Sequence, residues 1–344
     1  LDRAGSTRGE VEAMKMNSTE AREQFAKWLE AKFYSKGTVD SYVPSVPSFF
    51  KFLGSHPDVV GLSHSKRVEA YLSSRVVEDD IAASTQNVEL TALVQFHRML
   101  GIELTGINAL RAKRRDRIPP IMSKEQVKIL IENFPHEFRL VPMILYGCAM
   151  RINECLRLRI KDVDLSLKKF VIHEAKGDKE RVVSIPNSLI PYVKIQYDKA
   201  VAMWEIDKYH TFNGVNCRGV EKKYPSYPMS RDWYWFLPAA SYSTDPKSHT
   251  PMMRHHTMDW TIQRMFEDVR GRFHLPVYAT PHILRHACLT HMTEDLIGKG
   301  FTETMIKAEL KKLSGHVMDE TLEGYIHLAT PKNVHIVSPI EGLV

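Results

Sequence analysis

The chain has 344 residues, 43% of them hydrophobic and 26% charged, with 47 Lys and Arg against 41 Asp and Glu for a formal net charge of +6. That length predicts two domains, and the apolar fraction excludes a disordered chain. No apolar run is long enough to cross a bilayer, and the mild positive charge permits a polyanionic partner without requiring one.

Residues 1–16 carry no secretory apolar segment and are expected to be upstream or disordered sequence. From Asn17 to about Gly101 the pattern is helical. "NSTEAREQFAKWLEAKFYS" opens on cap-type residues and sets Phe25, Trp28, Leu29 and Phe33 at helical spacing. "TVDSYVPSVPSFFKFLG" predicts a second helix, kinked or started late by Pro44 and Pro47. "SHSKRVEAYLSSRVV" and "STQNVELTALVQFHRMLG" predict a third and a fourth, giving a small four-helix domain over 17–104.

Within the connector, 105–121, "RAKRRDRIPP" places Arg111, Lys113, Arg114, Arg115 and Arg117 before Pro119 and Pro120. The prolines disfavour helix and predict an extended connector. Its cations are either a solvated linker or a phosphate-neutralising strap between domains that straddle a duplex. Ser123 and Gln126 form a capping box that opens the second domain, 122–330. There "EQVKILIENF" and "RLVPMILYGCAMRINECLRLRI" predict helices broken near Gly147, "KKFVIHEAKGDKERVVSIP" predicts a hairpin ended by Pro186, and "SLIPYVKIQYDKAVAMWEID" returns to helix. The expected fold is mainly α with a small β-sheet. The four cysteines, Cys148, Cys155, Cys217 and Cys288, lack metal-type pairing and read as reduced structural thiols.

Four separated places carry polar groups in an order that means more than each place alone. Arg151 and Glu154 are expected on one helical face, where the ordinary reading is a surface ion pair. Lys176 falls at the hairpin tip, His282 and Arg285 share a face of "TPHILRHACLTH", and "LSGHVMDETLEGYIHLATP" supplies His316 and Tyr325. Phosphoryl transfer to a tyrosine needs this set. Two guanidinium groups grip non-bridging oxygens, His316 donates to the same phosphate, His282 handles the phenol's proton, and Lys176 protonates the departing 5′ oxygen. Tyr325 then attacks and stores the bond as a phosphotyrosine. This needs no metal or other cofactor, and no Asp/Glu cluster suits a two-metal nuclease.

With "GCAMRINECLRLR", "AKGDKERVVSIP", "TPHILRHACLTHM", "LSGH" and "TLEGYIHL", the sequence resembles the tyrosine recombinases of the lambda-integrase family. The resemblance implies that Arg151, Lys176, His282, Arg285, His316 and Tyr325 are catalytic, with Glu154 supporting them. It also implies a helical core-binding domain, a C-shaped two-domain clamp around DNA, and further DNA contacts from Lys179, Arg181 and Arg254. "LSGH" departs from the common Leu-Gly-His, and "MTEDLIGKGFTETMIKAELKK" is longer than usual, which bears on helix packing there.

Between about 210 and 258 lies a long segment similar to one characteristic of integron integrases, which recognise folded single-stranded cassette sites. That likeness implies that Trp233, Tyr234, Trp235, His255 and His256 hold extrahelical bases, which need a flat apolar face and a few polar contacts. The bland alternative is that the aromatics anchor the loop. The tail, 331–344, is expected on a neighbouring protomer of a homotetramer. The expected partners are folded single-stranded cassette sites and duplex sites, met in the cytoplasm at the nucleoid, with no membrane. The rivals are a Xer-like or phage-type recombinase on duplex sites, a type IB topoisomerase or relaxase-like enzyme, and a non-catalytic DNA-binding protein.

Overall fold

The computed structural model describes residues 16–112, 120–175, 179–210, 212–217, 220–245 and 248–314. The chain divides into two compact units, Leu1–Arg117 and Ile118–Val344.

In the first unit the helices are α1 (Ser18–Ala31), α2 (Lys36–Tyr42), α3 (Ser45–Ser55), α4 (Pro57–Val60), α5 (His64–Val77) and α6 (Ala83–Met99). Four helices were expected, and the described residues form six. Ser35 caps the short α2 by accepting from the Thr38 amide. Pro44 then stands at the start of α3 with Pro47 in its first turn, where a missing N–H costs nothing. Pro57 opens the one-turn α4. Phe25, Leu29, Val46 and Phe96 fill one core, and Phe49, Val68, Tyr71 and Leu93 a second.

The second unit opens on α7 (Lys124–Glu132), whose Ser123–Gln126 capping box is formed in full. Then come α8 (Leu140–Gly147) and α9 (Ile152–Leu156). Next are three antiparallel strands in the order β1 (Val163–Asp164), β2 (Lys169–Ala175), β3 (Lys179–Ser184). β2 and β3 pair as Phe170↔Val183 and Ile172↔Arg181, with a bulge between Ile172 and Ala175. The long α10 (Ile190–Tyr209) leads to the hairpin β4 (Pro238–Ser243) and β5 (Met253–His256), and α11 (Asp259–Arg272), α12 (Pro281–Gly298) and α13 (Glu303–Ser314) complete the described chain. The main core gathers Leu130, Val141, Ile144, Phe170, Phe236, Phe266 and Leu284. The longer segment, 292–312, is accommodated as the end of α12, a turn and most of α13, whose Ile306 and Leu310 pack with Ala149 and Leu289. The four cysteines are buried, and none is in a disulfide among the described residues.

The 210–258 segment has its own core of Phe212, Val215, Cys217, Tyr234 and Trp235 against Ile160 and Ala200. Gly214, at φ +91°, is required there: a Cβ would lie 2.7 Å from Pro228 Cβ.

Candidate active site

Arg151 and Glu154 do not share a helical face. α8 ends at Gly147, and the chain turns through Ala149 at φ +47°, a left-handed conformation that costs a non-glycine residue about 1–2 kcal/mol. Arg151 therefore becomes the extended N-cap of α9, with Glu154 in that helix's first turn. Glu154 Oε2 accepts from the Arg151 backbone N–H at 2.8 Å and Oε1 from Arg151 Nη1 at 2.8 Å. Arg181, in β3, forks onto both oxygens, Nη1 to Oε1 at 2.9 Å and Nη2 to Oε2 at 2.8 Å. Arg285, buried in α12, brings Nη1 within 3.9 Å of Oε2 and donates to the Ala149 carbonyl. One buried carboxylate thus faces three guanidinium groups drawn from a turn, a strand and a helix. Burial pushes the Glu154 carboxyl up; the charge and hydrogen bonds of Arg181 and the bonds from Arg151 outweigh it and hold the group below its ordinary value.

Beside this cluster lies a cavity of about 600 Å³, with Arg151, Glu154, Arg157 and His282 on its wall. His282, exposed in the first turn of α12, has its pKa lowered by burial of the ring's surroundings and by Arg285 and Arg151. A neutral imidazole suits a proton acceptor. The sequence reading missed the opposite wall, where Asp259, Gln263, Glu267 and Arg270 of α11 line the same cavity. Their spacing at 259, 263, 267 and 270, one stripe beside the buried Ile262, Phe266 and Val269, was the available signal.

Several expected site residues, namely Lys113, Arg114, Arg115, Arg117, Lys176, His316 and Tyr325, lie outside the described residues, as do the side chain of Lys179 and the tail. Arg111 is exposed and donates to Asn87 Oδ1 at 3.3 Å. Two expected DNA contacts are corrected. Arg181 spends both terminal nitrogens on Glu154, and Arg254 is buried in an ion pair with Asp207.

The group expected to hold bases divides. Tyr234 and Trp235 are core residues: the Tyr234 hydroxyl donates to Asp207 at 2.6 Å, and Trp235 donates to the Arg254 carbonyl at 3.0 Å with the Arg159 guanidinium 3.2 Å from its ring centroid. His255 is buried as well, and the partly buried His256 packs edge-on against Trp235. Burial removes Tyr234, Trp235 and His255 from the expected platform, while the ring of His256 stays partly accessible beside Trp235. Trp233 differs. It is half-buried, stacks on Tyr227 at 5.1 Å, which stacks on Tyr224 at 4.6 Å, and has Lys161 Nζ 4.7 Å from its ring. It lines a second pocket of about 240 Å³ together with Glu154, Arg157, Lys161 and His173.

Among the described residues no group of three His, Cys, Asp or Glu side chains is placed to hold a metal, and no helix is long and apolar enough to cross a membrane.

Solved structures share this fold. The XerH site-specific recombinase bound to palindromic difH substrate aligns at a TM-score of 0.61 and 14% identity over 97% of this chain and 88% of that one. The Tn1549 transposon integrase in complex with transposon right end DNA aligns at 0.54 and 13% over 94% and 99%. The architecture is therefore the mainly helical, two-domain fold of the tyrosine recombinases.

The profile of the phage integrase family matches residues 120–331, and that of the phage integrase N-terminal SAM-like domain matches 22–104. An integrase/recombinase of Escherichia coli is 31% identical over 95% of both chains, and tyrosine recombinase XerA of Pyrococcus horikoshii is 22% identical over 90% of this chain and 89% of its own. The chain belongs to the phage integrase family and is a tyrosine recombinase, an enzyme that cleaves and rejoins DNA strands.

Proposed function

We propose that this recombinase is an integron-type integrase, which captures and excises gene cassettes through folded single-stranded attachment sites and also acts on duplex sites. The observation that carries this reading is Trp233, half-buried at the end of the Tyr224–Tyr227 stack, beside Lys161 and a pocket that shares Glu154 and Arg157 with the larger cavity. The Trp233 ring has Tyr227 stacked on it and Lys161 Nζ 4.7 Å from its centroid, so an unpaired base that displaces the Lys161 ammonium from over the ring gains the aromatic face and keeps the cation beside it, the pairing by which single strands are held.

The chemistry follows from the residues that the likeness to tyrosine recombinases implies. Arg151 and Arg285 stabilise the charge that builds on the scissile phosphate. His316 donates to the same phosphate, and His282, its pKa lowered, accepts or relays the proton of Tyr325. The phenolate attacks phosphorus, the bond to the 5′ oxygen breaks, and Lys176 supplies the proton that the leaving oxygen takes up. The 3′-phosphotyrosine keeps the bond energy until the 5′ hydroxyl of a partner strand attacks it and releases the tyrosine. Glu154 orients Arg151. Arg111, Lys113, Arg114, Arg115, Arg117 and Lys179 neutralise backbone phosphates. Four protomers act on two paired sites, joined through the 331–344 tail, at the nucleoid in the cytoplasm.

A second reading, a Xer-like recombinase confined to duplex sites, is favoured by the names of the XerA, XerC and XerD relatives. One experiment serves both. A nicked substrate that lets the 5′ fragment escape is incubated in EDTA with the intact protein and with Tyr325→Phe, as a folded single strand and as the matching duplex. The integron-type reading expects a covalent complex from the intact protein alone, formed preferentially on the folded strand. Equal or better reaction on the duplex selects the Xer-like reading, and binding with no covalent band on either substrate overturns both.

A further inference from the structure

We propose that Arg181 is a positioning residue for strand cleavage, acting on the scissile phosphate through Glu154 and Arg151. The proposal rests on the reading above in which Arg151 stabilises that phosphate's charge.

Arg181 is inward-facing on β3, with a side chain 8% exposed, and its two terminal nitrogens take one Glu154 oxygen each. This fork fixes the plane of the carboxylate. The same two oxygens hold Arg151, Oε1 through Nη1 and Oε2 through the backbone N–H. The orientation of the Glu154 carboxylate therefore sets both the main chain and the guanidinium of Arg151. Among the described residues Glu154 is the side chain bonded to that guanidinium, and Arg151 lines the cavity where a phosphate is expected.

Stability alone does not account for Arg181. Its Nε is buried with no acceptor among the described residues, which costs stability. Buried ion pairs of this kind seldom stabilise a fold more than apolar residues of the same volume. The charge balance gives the retained cation a use. With Arg181 in place, Glu154 is compensated from the strand side, and Arg151 has attraction to spare for a phosphate oxygen. Without it, Arg151 and Arg285 become the carboxylate's main counter-charges, and Arg151 is drawn from the phosphate toward Glu154.

The test compares covalent-complex formation on two nicked DNAs, one with an ordinary scissile phosphate and one with a methylphosphonate there, whose methyl group removes the negative charge that Arg151 would stabilise. The proteins are intact, Arg151→Ala and Arg181→Met, with DNA affinity and melting temperature measured alongside. On the phosphate, Arg181→Met should cleave about 10-fold more slowly or worse, short of the roughly 10²–10³-fold cost of removing a direct donor. On the methylphosphonate the defects of both variants should shrink together. If that of Arg151→Ala shrinks while that of Arg181→Met is the same on both DNAs, Arg181 is merely structural and the proposal fails. If that of Arg151→Ala does not shrink, the charge-stabilising reading of Arg151 fails and takes the proposal with it. Should Arg181→Met not fold, Arg181→Gln, which removes the charge and keeps a hydrogen-bond donor for Glu154, carries the same comparison.

Discussion

Arg254 forks onto Asp207, with Nη2 2.7 Å from Oδ1 and Nε 2.9 Å from Oδ2, both residues buried. Tyr234 and Tyr242 each donate a phenolic O–H to the same carboxylate at 2.6 Å, and Arg254 Nη1 donates to the Ala239 and Ala240 carbonyls at 3.0 and 2.9 Å. The 210–258 segment is thus tied to the last turn of α10 by a bonded charge pair, so that a segment long enough to be a floppy loop is a packed layer carrying Trp233.

Asp207→Asn should therefore destabilise the second unit strongly, by about 3–5 kcal/mol, because it strands a buried guanidinium. Urea unfolding checks this, and Asp207→Asn combined with Arg254→Met should lose less than the single change. Burial raises the Asp207 pKa, but the bonds from Arg254, Tyr234 and Tyr242 prevail and lower it. A depressed carboxyl stabilises the folded chain above its unfolded pKa, near 3.8, and loses that contribution as pH falls through the lower folded value. Acid sensitivity from this pair should thus appear only below about pH 4.

His97 predicts a milder acid transition in the first unit. Burial drives its pKa down from 6.5 to about 4, with His64 and Arg67 adding to the shift and the Leu93 carbonyl opposing it. The unfolded chain binds a proton that the folded chain refuses between those values, so stability falls as pH drops from 6.5 toward 4, at up to roughly 1.4 kcal/mol per pH unit. Hydrogen exchange of α5 and α6 at pH 7 and pH 5 should show this loss in the intact chain and a smaller one in His97→Gln. Equal losses would place the titrating group elsewhere.

Local chemistry was readable where one residue type has one structural use. The Ser123–Gln126 capping box, the hairpin ended by Pro186 and the Thr280–Pro281 start of α12 follow from such signals. The turn at Ala149 did not, because a left-handed alanine is disfavoured locally and is held here by packing from α12 and α13. That turn converted the expected Arg151–Glu154 helical pair into an N-cap with its carboxylate. The aromatic run 233–236 was likewise opaque. A sequence shows four adjacent rings, but only the packing against Ile160, Phe170 and Ala200 decides which three turn inward.

The pH dependence of cleavage should carry the mark of His282. Burial, Arg285 and Arg151 all favour its neutral form, so its pKa lies below 6.5. As a proton acceptor it is competent above that value and lost below it. Single-turnover cleavage should be flat at neutral pH and fall on an acid limb with its midpoint below 6.5, and the limb should be missing in His282→Asn. A midpoint above 6.5, or a limb that survives the substitution, would remove His282 from this role.

Trp233 and Trp235 should separate cleanly. Trp235 is buried under Arg159, so Trp235→Ala should cost about 3–5 kcal/mol of stability and weaken folded-strand and duplex binding together. Trp233 is half-buried, stacks on Tyr227 and lines the pocket beside Lys161, so Trp233→Ala should lower the melting temperature by less than Trp235→Ala does while costing about 1–3 kcal/mol of affinity for the folded strand alone. Competition binding of the two DNAs at one salt concentration measures the difference, since the phosphate contribution is then held constant. An equal loss on both DNAs from Trp233→Ala would mean that the Tyr224–Tyr227–Trp233 stack braces the segment and meets no base.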